Sequence, residues 1–337
     1  MKILILKPSS LGDVIQALPV LRLIKKRYPD SEVYWWISTS LSPLLEKDPD
    51  LSGLFTFERH RWLRPRFWRD LFVTVRQARS LAFDYTIDLQ GLARSGAFAW
   101  FADAKLTIGL EDAREGAPGF YDLQAARPAC ATHAVDAYLK VLSWIDVPVH
   151  WDFTWLPVQR EAAEAVRQKW RPKEVRWVVL VPGARWPNKR WPAQSYAELV
   201  RRLAGDHADT QFAVLGGTED AGLGEQIAQA SPERCLNLTG KTSLWEMIEW
   251  IRRSALMVSN DTGPMHIAAA LGKPVVAVFG PTDPRRTGPY RQLERVINLP
   301  LPCAPCLKPA CHYVKPMECL QAITSEAVQR KVRECLP

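Results

Sequence analysis

The chain has 337 residues, of which 47% are apolar and 24% charged, which is usual for a globular enzyme of two domains. No stretch approaches the roughly 20 consecutive apolar residues of a membrane-spanning helix, which excludes a helical membrane span. The net charge of +8 favours an anionic partner such as nucleic acid, an acidic membrane surface or a phosphorylated substrate. A solvated basic surface explains the same excess equally well.

The first half of the sequence alternates strands with helices. The predicted elements, in chain order, are a strand at Lys2–Lys7, a helix from about Asp13 to Arg27, a strand at Val33–Ile37, a helix through about Ala82, and strands at Tyr85–Leu89 and Leu106–Gly109. This alternation predicts a parallel sheet whose faces are covered by helices.

The second half repeats the pattern. Its predicted elements are strands at Trp177–Val181, Phe212–Leu215, Leu256–Val258 and Val275–Phe279, and helices near Ser195–Ala204, Leu244–Arg252, Met265–Leu271 and Ser325–Glu334. We therefore expect a first domain at 1–155, a Pro- and Trp-rich linker at 156–172, a second domain at 173–324 and a C-terminal helix at 325–337. Two doubly wound domains would place the carboxyl ends of both sheets at one shared cleft, where ligands bind.

Asp13 is the first candidate site residue. Gly12 allows a tight turn after the first strand, and Asp13 enters the following helix. Ser10 and Asp13 have the spacing of a capping box, so a structural role for Asp13 is as well supported as that of a general base.

Polar loops follow the strands of the second half. The loop Pro182–Pro192 offers Arg185, Lys189 and Arg190, which suit a phosphate or a pyrophosphate but also fit a solvated surface loop. Glu219 lies where an acidic residue can accept hydrogen bonds from a ribose. A structural role is equally well supported, in which the carboxylate interacts favourably with the positive end of a helix dipole.

The stretch Ser259–His266 combines a strand end with a helix start, where unpaired N–H groups and the helix dipole favour a phosphate. Thr262 is the predicted N-cap, followed by Gly263 in the first turn. Asp261 beside this site indicates a ligand that carries hydroxyl groups as well as phosphate. His266 is expected to stay neutral near the positive dipole and to hydrogen-bond rather than to act as an acid.

Two further segments have unusual compositions. Arg59–Arg69 contains five arginines and three aromatic residues, which suits an acidic, amphiphilic surface or a loop whose aromatic side chains pack inward. Cys303, Cys306, Cys311 and Cys319 are metal-ligand residue types, but their spacing is not a regular zinc pattern, so reduced thiols without a metal are expected. Seven cysteines in a chain of this length, without a segment resembling a signal peptide, favour a reduced, cytoplasmic protein.

Several of these motifs together resemble glycosyltransferase family 9, the ADP-heptose:lipopolysaccharide heptosyltransferases. The motifs are Lys7-Pro-Ser-Ser-Leu-Gly-Asp13, Asp88-Leu-Gln-Gly-Leu-Ala-Arg-Ser95, Lys189-Arg-Trp-Pro192, Ser259-Asn-Asp-Thr-Gly-Pro-Met-His266 and Phe279-Gly-Pro-Thr-Asp-Pro284. The resemblance covers nearly the whole chain. It implies a GT-B architecture of two Rossmann-like domains, with the acceptor bound by the first and the ADP-sugar by the second.

The resemblance also implies residue roles. Asp13 would be the general base of an inverting transfer that needs no metal ion or other cofactor. The donor-binding residues would be Arg185, Lys189, Glu219, Asp261, Thr262, Gly263 and His266, and the acceptor-binding residues Ser10, Arg61, Arg64, Gln90 and Arg114. The implied substrates are ADP-heptose and a Kdo-lipid A type acceptor at the cytoplasmic face of the inner membrane. The acceptor-side arginines resemble the enzymes that add the first heptose, and the four cysteines resemble those that add the second.

Two other functions stay open at this level. A nucleotide-sugar epimerase has the same architecture and would act on the donor alone. A nucleic-acid-binding protein fits the basic charge, but the sequence contains no helix-turn-helix signature, regular zinc finger or RNP pattern, so we expect no nucleic-acid partner.

Overall fold

The computed structural model describes residues 1–58, 68–127, 129, 132–206 and 208–336. They form two compact units, Met1–Pro157 and Val158–Pro337, and each contains one parallel sheet with helices. The predicted α/β class is therefore confirmed. Within the described residues, no helix is both long and apolar enough to cross a membrane.

In the first unit, the described residues form a sheet of six parallel strands in the order β3-β2-β1-β4-β5-β6. The strands are β1 (Lys2–Leu6), β2 (Glu32–Ser38), β3 (Gly53–Phe57), β4 (Tyr85–Asp88), β5 (Leu106–Leu110) and β6 (Leu123–Ala125). The α-helices are α1 (Leu11–Arg27), α2 (Trp68–Ser80), α3 (Ala93–Ala102) and α4 (Ala134–Leu139), with short 3₁₀ turns at Thr39–Leu44, Ala117–Phe120 and Lys140–Ile145. The first strand, β1, lies in the middle of the sheet beside β4. The strand order reverses between these two strands.

Successive side chains of β1 point to opposite faces of the sheet, and each face is covered by its own layer of helices. Leu4 and Leu6 pack with Trp36 against α2 and α3, in a core that includes Phe83 and Phe98. Ile3 and Ile5 are also fully buried but point to the opposite face of the sheet, where α1 packs against α4. The helices therefore cover both faces, which explains why the central strands read as continuous apolar runs.

The second unit repeats this topology, with strand order β12-β11-β10-β7-β8-β9 among the described residues. Its strands are β7 (Arg176–Val181), β8 (Thr210–Val214), β9 (Cys235–Asn237), β10 (Leu256–Asn260), β11 (Val275–Phe279) and β12 (Val296–Asn298). Its α-helices are α5 (Arg160–Trp170), α6 (Ala193–Asp206), α7 (Ala221–Ala228), α8 (Leu244–Arg253), α9 (Gly263–Ala270), α10 (Pro284–Thr287), α11 (Glu318–Gln321) and α12 (Ser325–Cys335), with 3₁₀ turns at Pro187–Lys189, Thr218–Asp220 and Leu293–Arg295. Here β7 lies between β10 and β8, so the loops after β7 and β10 are neighbours.

Two helices of the second unit show how local sequence and packing act together. Helix α8 begins with a capping box, in which the Ser243 hydroxyl accepts from the Glu246 N–H and the Glu246 carboxylate accepts from the Ser243 N–H. Helix α12, which the sequence leaves free to pack on either domain, inserts Val328 and Val332 into the core of the second unit. Helix α5 falls within the range 156–172 that the sequence predicts as a linker.

A buried ion pair fixes α1 within the first unit. The guanidinium of Arg22 donates to Asp48 at 2.6 Å, to Asp50 at 2.7 Å and to the carbonyl of Trp155 at 3.0 Å. Burial opposes the charged form of Arg22, but the two carboxylates raise its pKa above the ordinary value. These contacts tie α1 to the segment before β3 and to the last residues of the unit.

We predict that Arg22→Ala lowers the free energy of unfolding by about 3–5 kcal/mol, because it leaves the Asp48 carboxylate buried without its cation. Chemical denaturation followed by tryptophan fluorescence measures the change. Arg27→Ala is the matched control on the same helix, since its ion pair with Asp146 is exposed at 3.6 Å and should contribute little. Equal effects of the two substitutions would contradict the prediction.

Candidate functional site

In the first unit, Asp13 lies in the first turn of α1, directly after β1. Its Oδ2 accepts hydrogen bonds from the Ser10 backbone N–H at 2.9 Å and from the Ser10 hydroxyl at 2.6 Å. The capping contact that the spacing predicts is therefore present. Asp13 is half-buried and Ser10 is exposed, so the carboxylate is held by its own turn while remaining accessible.

The loop after β4 lies beside this turn, because Leu6 at the end of β1 pairs with Asp88 at the end of β4. The Asp88 carboxylate is buried and accepts from the Tyr121 hydroxyl at 2.7 Å and from the Gln90 and Gly91 N–H groups. Burial raises the pKa of Asp88, although these hydrogen bonds oppose the rise. Asp88 therefore shapes the loop that presents Gln90.

Gln90 and Arg114, both predicted to bind the acceptor, are brought together by this loop. The Arg114 N–H donates to the Gly91 carbonyl at 2.8 Å, and the Arg114 side chain is exposed. Among the described residues, the buried Oε1 of Gln90 has no hydrogen-bond partner. The predicted acceptor residues Arg61 and Arg64 lie outside the described residues.

Lys7 is a site residue that the sequence reasoning missed. Its ammonium donates to the Leu89 carbonyl at 2.8 Å and lies 4.7 Å from the centre of the Tyr138 ring, in a position that is only 4% exposed. Burial alone would lower the pKa of Lys7, but Tyr138, Asp13 and Asp88 raise it above the ordinary value. A buried, charged lysine therefore lies within electrostatic range of Asp13. In the sequence, the signal for this residue is that the motif Lys7-Pro-Ser-Ser-Leu-Gly-Asp13 begins with it.

In the second unit, the loops after β7, β10 and β11 bring three side chains together. Lys189 donates from Nζ to Asp261 Oδ2 at 2.6 Å, and the Thr282 hydroxyl donates to the same oxygen, also at 2.6 Å. The Lys189 side chain is 18% exposed and that of Asp261 is 8% exposed. The two predicted donor-binding residues thus form an ion pair with each other. Thr282 was missed as a site residue, although it lies in the quoted Phe279–Pro284 motif.

Asn260 fixes the loop after β7 against the end of β10. Its Oδ1 accepts from the Trp191 N–H at 3.0 Å and from the Tyr196 hydroxyl at 3.3 Å, while its Nδ2 donates to the Pro182 carbonyl at 2.7 Å. The Asn260 side chain is fully buried. These hydrogen bonds set the position of the segment that carries Lys189.

Helix α9 begins at Gly263, with Thr262 in the N-cap position and Pro264 in the first turn, as the sequence predicts. Among the described residues, the Thr262 side chain makes no capping hydrogen bond. Pro264 has no N–H, and the Met265 N–H donates to the Thr262 carbonyl at 3.2 Å, which leaves the Gly263 N–H at the helix start. His266 lies in the first turn of the helix and is 8% exposed. The start of α9 therefore lies next to Asp261 of the Lys189–Asp261 pair, where the positive end of the helix dipole favours an anion.

The turn after β8 contains two acidic residues with different environments. Glu219, the predicted ribose ligand, is exposed, whereas the neighbouring Asp220 is buried and accepts from the Gly217 N–H at 3.1 Å. A Cβ atom at Gly183 would lie 2.2 Å from the Asp220 carboxylate, so this glycine leaves room for it. Burial raises the pKa of Asp220. Asp220 is not among the candidate site residues that the sequence predicts. Arg185, predicted at the donor site, is exposed in the loop after β7.

The four cysteines of the C-terminal segment line one cavity. Cys303, Cys306, Cys311 and Cys319 surround it together with His312. Two backbone N–H groups donate to Cys311 and lower the pKa of its thiol, whereas burial raises that of Cys319. In the described part of the chain, however, no group of three or more His, Cys, Asp or Glu side chains is arranged to hold a metal ion.

The two units therefore provide complementary chemistry. The first presents a carboxylate that is suited to accept a proton, and the second presents a cation and a helix N-terminus that are suited to hold a diphosphate. A carboxylate base and a leaving-group site are the requirements of a group transfer from a nucleotide-activated donor to a hydroxyl.

Comparisons with known proteins agree with this chemistry. Lipopolysaccharide heptosyltransferase 1 of Pseudomonas aeruginosa is 28% identical over 326 residues, covering 93% of this chain and 88% of that protein. Lipooligosaccharide heptosyltransferase 2 of Haemophilus ducreyi is 30% identical over 325 residues, covering 89% of each. The solved structure of Escherichia coli ADP-heptose lps heptosyltransferase II matches with a TM-score of 0.77 and 24% identity, covering 99% of this chain and 98% of that one.

A second solved structure, Escherichia coli heptosyltransferase WaaC with ADP, matches with a TM-score of 0.74 and 23% identity, covering 99% of this chain and 100% of that one. These similarities confirm the GT-B type of fold. The model of glycosyltransferase family 9 (heptosyltransferase) matches residues 72–316. The chain therefore belongs to glycosyltransferase family 9 and is a heptose-transferring enzyme.

Proposed function

We propose that this enzyme transfers heptose from ADP-L-glycero-D-manno-heptose to a Kdo-lipid A acceptor in lipopolysaccharide biosynthesis, with inversion at the anomeric carbon. The observation that carries the donor assignment is the cluster of Lys189, Asp261 and Thr282 at the start of α9, which combines a cation and hydroxyl-binding groups with the positive end of the helix dipole. The names of the relatives, which are lipopolysaccharide and lipooligosaccharide heptosyltransferases, support the same substrates.

The proposed reaction is a single displacement. Asp13 accepts the proton of the acceptor hydroxyl, and that oxygen attacks the anomeric carbon on the face opposite the diphosphate. The bond to ADP breaks as the new glycosidic bond forms, and the negative charge of the leaving group is stabilised by Lys189 and by N–H groups near Gly263–His266. These groups carry out the reaction without a metal ion in this proposal.

Lys189 has to change partner during this reaction. In the structure the ammonium of Lys189 pairs with Asp261, and in this proposal a donor diphosphate would take over the ammonium. Asp261 and Thr282 would then meet the hydroxyl groups of the sugar, since a carboxylate is an acceptor suited to them. Glu219, Arg185 and His266 complete the proposed donor site, with Glu219 at the ribose.

Ser10, Gln90 and Arg114, with Arg61 and Arg64, form the proposed acceptor site. Cations suit an acceptor that carries carboxylate and phosphate groups. The second candidate acceptor is a core that already carries one heptose, and the 30% identity to lipooligosaccharide heptosyltransferase 2 of Haemophilus ducreyi favours it. Either acceptor is an amphiphilic glycolipid, so we place the enzyme at the cytoplasmic face of the inner membrane.

The acceptor is tested by measuring transfer from ADP-heptose to Kdo-lipid A, to a singly heptosylated acceptor, and from ADP-glucose as a donor control. We expect the highest kcat/KM for ADP-heptose with Kdo-lipid A. A higher value with the heptosylated acceptor would instead assign the later transfer. Hydrolysis or epimerisation of the donor alone, without transfer to either acceptor, would refute the proposed function.

Asp13→Asn should lower kcat by at least about 10²-fold, because the amide does not accept the proton of the acceptor hydroxyl. The fold should persist, since the amide oxygen still accepts from the Ser10 N–H, and the affinity for ADP should be unchanged. Steady-state kinetics and calorimetric titration with ADP measure both effects. Retained turnover would remove Asp13 from the role of base.

Lys189→Met should weaken ADP binding by at least about tenfold, because a charge-assisted contact with the diphosphate is lost. Adenosine, which lacks the diphosphate, should bind with unchanged affinity, and this comparison separates the local effect from a folding defect. Lys169→Met is the matched control, since Lys169 pairs with Glu246 on the surface of the same unit at 3.6 Å. Equal ADP affinity of the Lys189 variant and the unsubstituted enzyme would contradict its role.

A further inference from the structure

Helices α2 and α3 form the outer layer on one face of the first unit. They lie side by side, and Arg79 of α2 donates to Asp103 at the end of α3 at 2.7 Å. Leu71, Val75 and Ala78 of α2 pack on the sheet core together with Phe98 and Ala102 of α3. Because the helical repeat is 3.6 residues, the residues on the opposite side of each helix face the solvent.

The outward positions carry large apolar side chains. Phe72 is 66% exposed, Val73 44%, Trp100 62% and Phe101 47%. The rings of Trp100 and Phe101 are in edge contact, with their centres 5.1 Å apart. Together Phe72, Val73, Trp100 and Phe101 define what we call the α2–α3 surface. Large exposed apolar patches mark interaction sites, whereas apolar residues scattered singly over a surface are normal.

The same surface carries positive charge. Arg69 and Arg76 are exposed on α2, and in the described part of the chain neither forms an ion pair. An open groove runs along the helix between Phe72, Val73 and Arg76. An apolar groove edged by a guanidinium matches a molecule that combines acyl chains with phosphate, because arginine binds phosphate through two parallel hydrogen bonds.

We infer that the α2–α3 surface docks the enzyme on an anionic phospholipid bilayer. Tryptophan prefers the interfacial region of a membrane, and basic residues beside it are attracted to anionic headgroups. A second copy of the chain is the weaker occupant, since a two-fold interface would set the arginines of one surface near those of the other. The inference rests on the proposed function insofar as the acceptor is a membrane glycolipid.

The full-length protein is tested by co-sedimentation with phosphatidylethanolamine vesicles that contain one quarter phosphatidylglycerol, beside vesicles of phosphatidylcholine alone. We expect binding to the anionic vesicles that weakens as the salt concentration rises. The double variant Phe72→Ser/Trp100→Ser should lower the partition coefficient at least tenfold. Arg69→Gln/Arg76→Gln should lower it on anionic vesicles and flatten its dependence on salt.

Trp144→Ser is the matched control, because Trp144 is a 46% exposed tryptophan of the same unit in the Lys140–Ile145 turn, which follows α4. Its partition coefficient should stay unchanged, as should the unfolding temperature of all variants. Equal vesicle binding of the double variant and the control would overturn the inference. So would a dimer in sedimentation velocity that the double variant abolishes while vesicle binding persists, which would assign the surface to a second copy.

Transfer assays separate this inference from the proposed function. With a water-soluble acceptor lacking acyl chains, the double variant should retain the turnover of the unsubstituted enzyme, and with the acceptor embedded in vesicles its turnover should fall. Transfer without vesicle binding would refute the docking surface alone. Vesicle binding through this surface without heptose transfer would refute the proposed function alone.

Discussion

The constraint on which both halves of the enzyme depend is that parallel strands end at the same edge of a sheet. In each unit the chain enters at a central strand and later returns to the strand beside it, β1 with β4 and β7 with β10. Two loops far apart in sequence then lie next to each other, and their backbones are left unpaired by the sheet. This geometry places Asp13 near Gln90 in one unit and Lys189 against Asp261 in the other.

The loops themselves are held by buried polar groups rather than by the sheet. Asp88 organises the turn at Gln90, Asn260 fixes the segment before Trp191, and Asp220 fills the space left by Gly183. Burying such groups is favourable only when their hydrogen bonds are satisfied, as those of Asp88 and Asn260 are, so these two residues favour a single loop conformation. Among the described residues, Asp220 Oδ1 is buried without a hydrogen-bond partner, and this carboxylate is held through Oδ2. The side chains proposed to bind ligands are therefore positioned by neighbours that do not themselves need to touch a substrate.

The sequence predicts the elements that periodicity and apolar runs reveal, and it fails where packing decides. The strands Lys2–Leu6 and Val275–Phe279 appear where the apolar runs predict them. The short edge strands Leu123–Ala125 and Cys235–Asn237 were missed, because three residues carry no usable period and pair only once the sheet exists. The sequence predicts a linker over 156–172, because prolines and tryptophans dominate that segment, and the structure has the helix Arg160–Trp170 within this range.

In the candidate site, the position of a residue within a motif tells more about which residues lie together than its residue type does. Lys189 and Asp261 were predicted as ligands of different parts of the donor, and only the structure shows that they neutralise each other. That pairing depends on the adjacency of β7 and β10, which no local pattern reveals. Lys7 and Thr282 were overlooked for a related reason: each acts on a residue that is distant from it in sequence.

The two roles considered for Asp13 are compatible. A carboxylate has about four lone-pair positions, and the contacts with Ser10 use Oδ2. The capping contact therefore fixes the orientation of the carboxylate, which a general base also requires. The ammonium of Lys7 is held at the end of β1 by the Leu89 carbonyl, and Asp13 is one of the groups that raise its pKa. In the proposed reaction the turn after β1 therefore has both functions, because the contact that caps α1 also orients the group that accepts the proton.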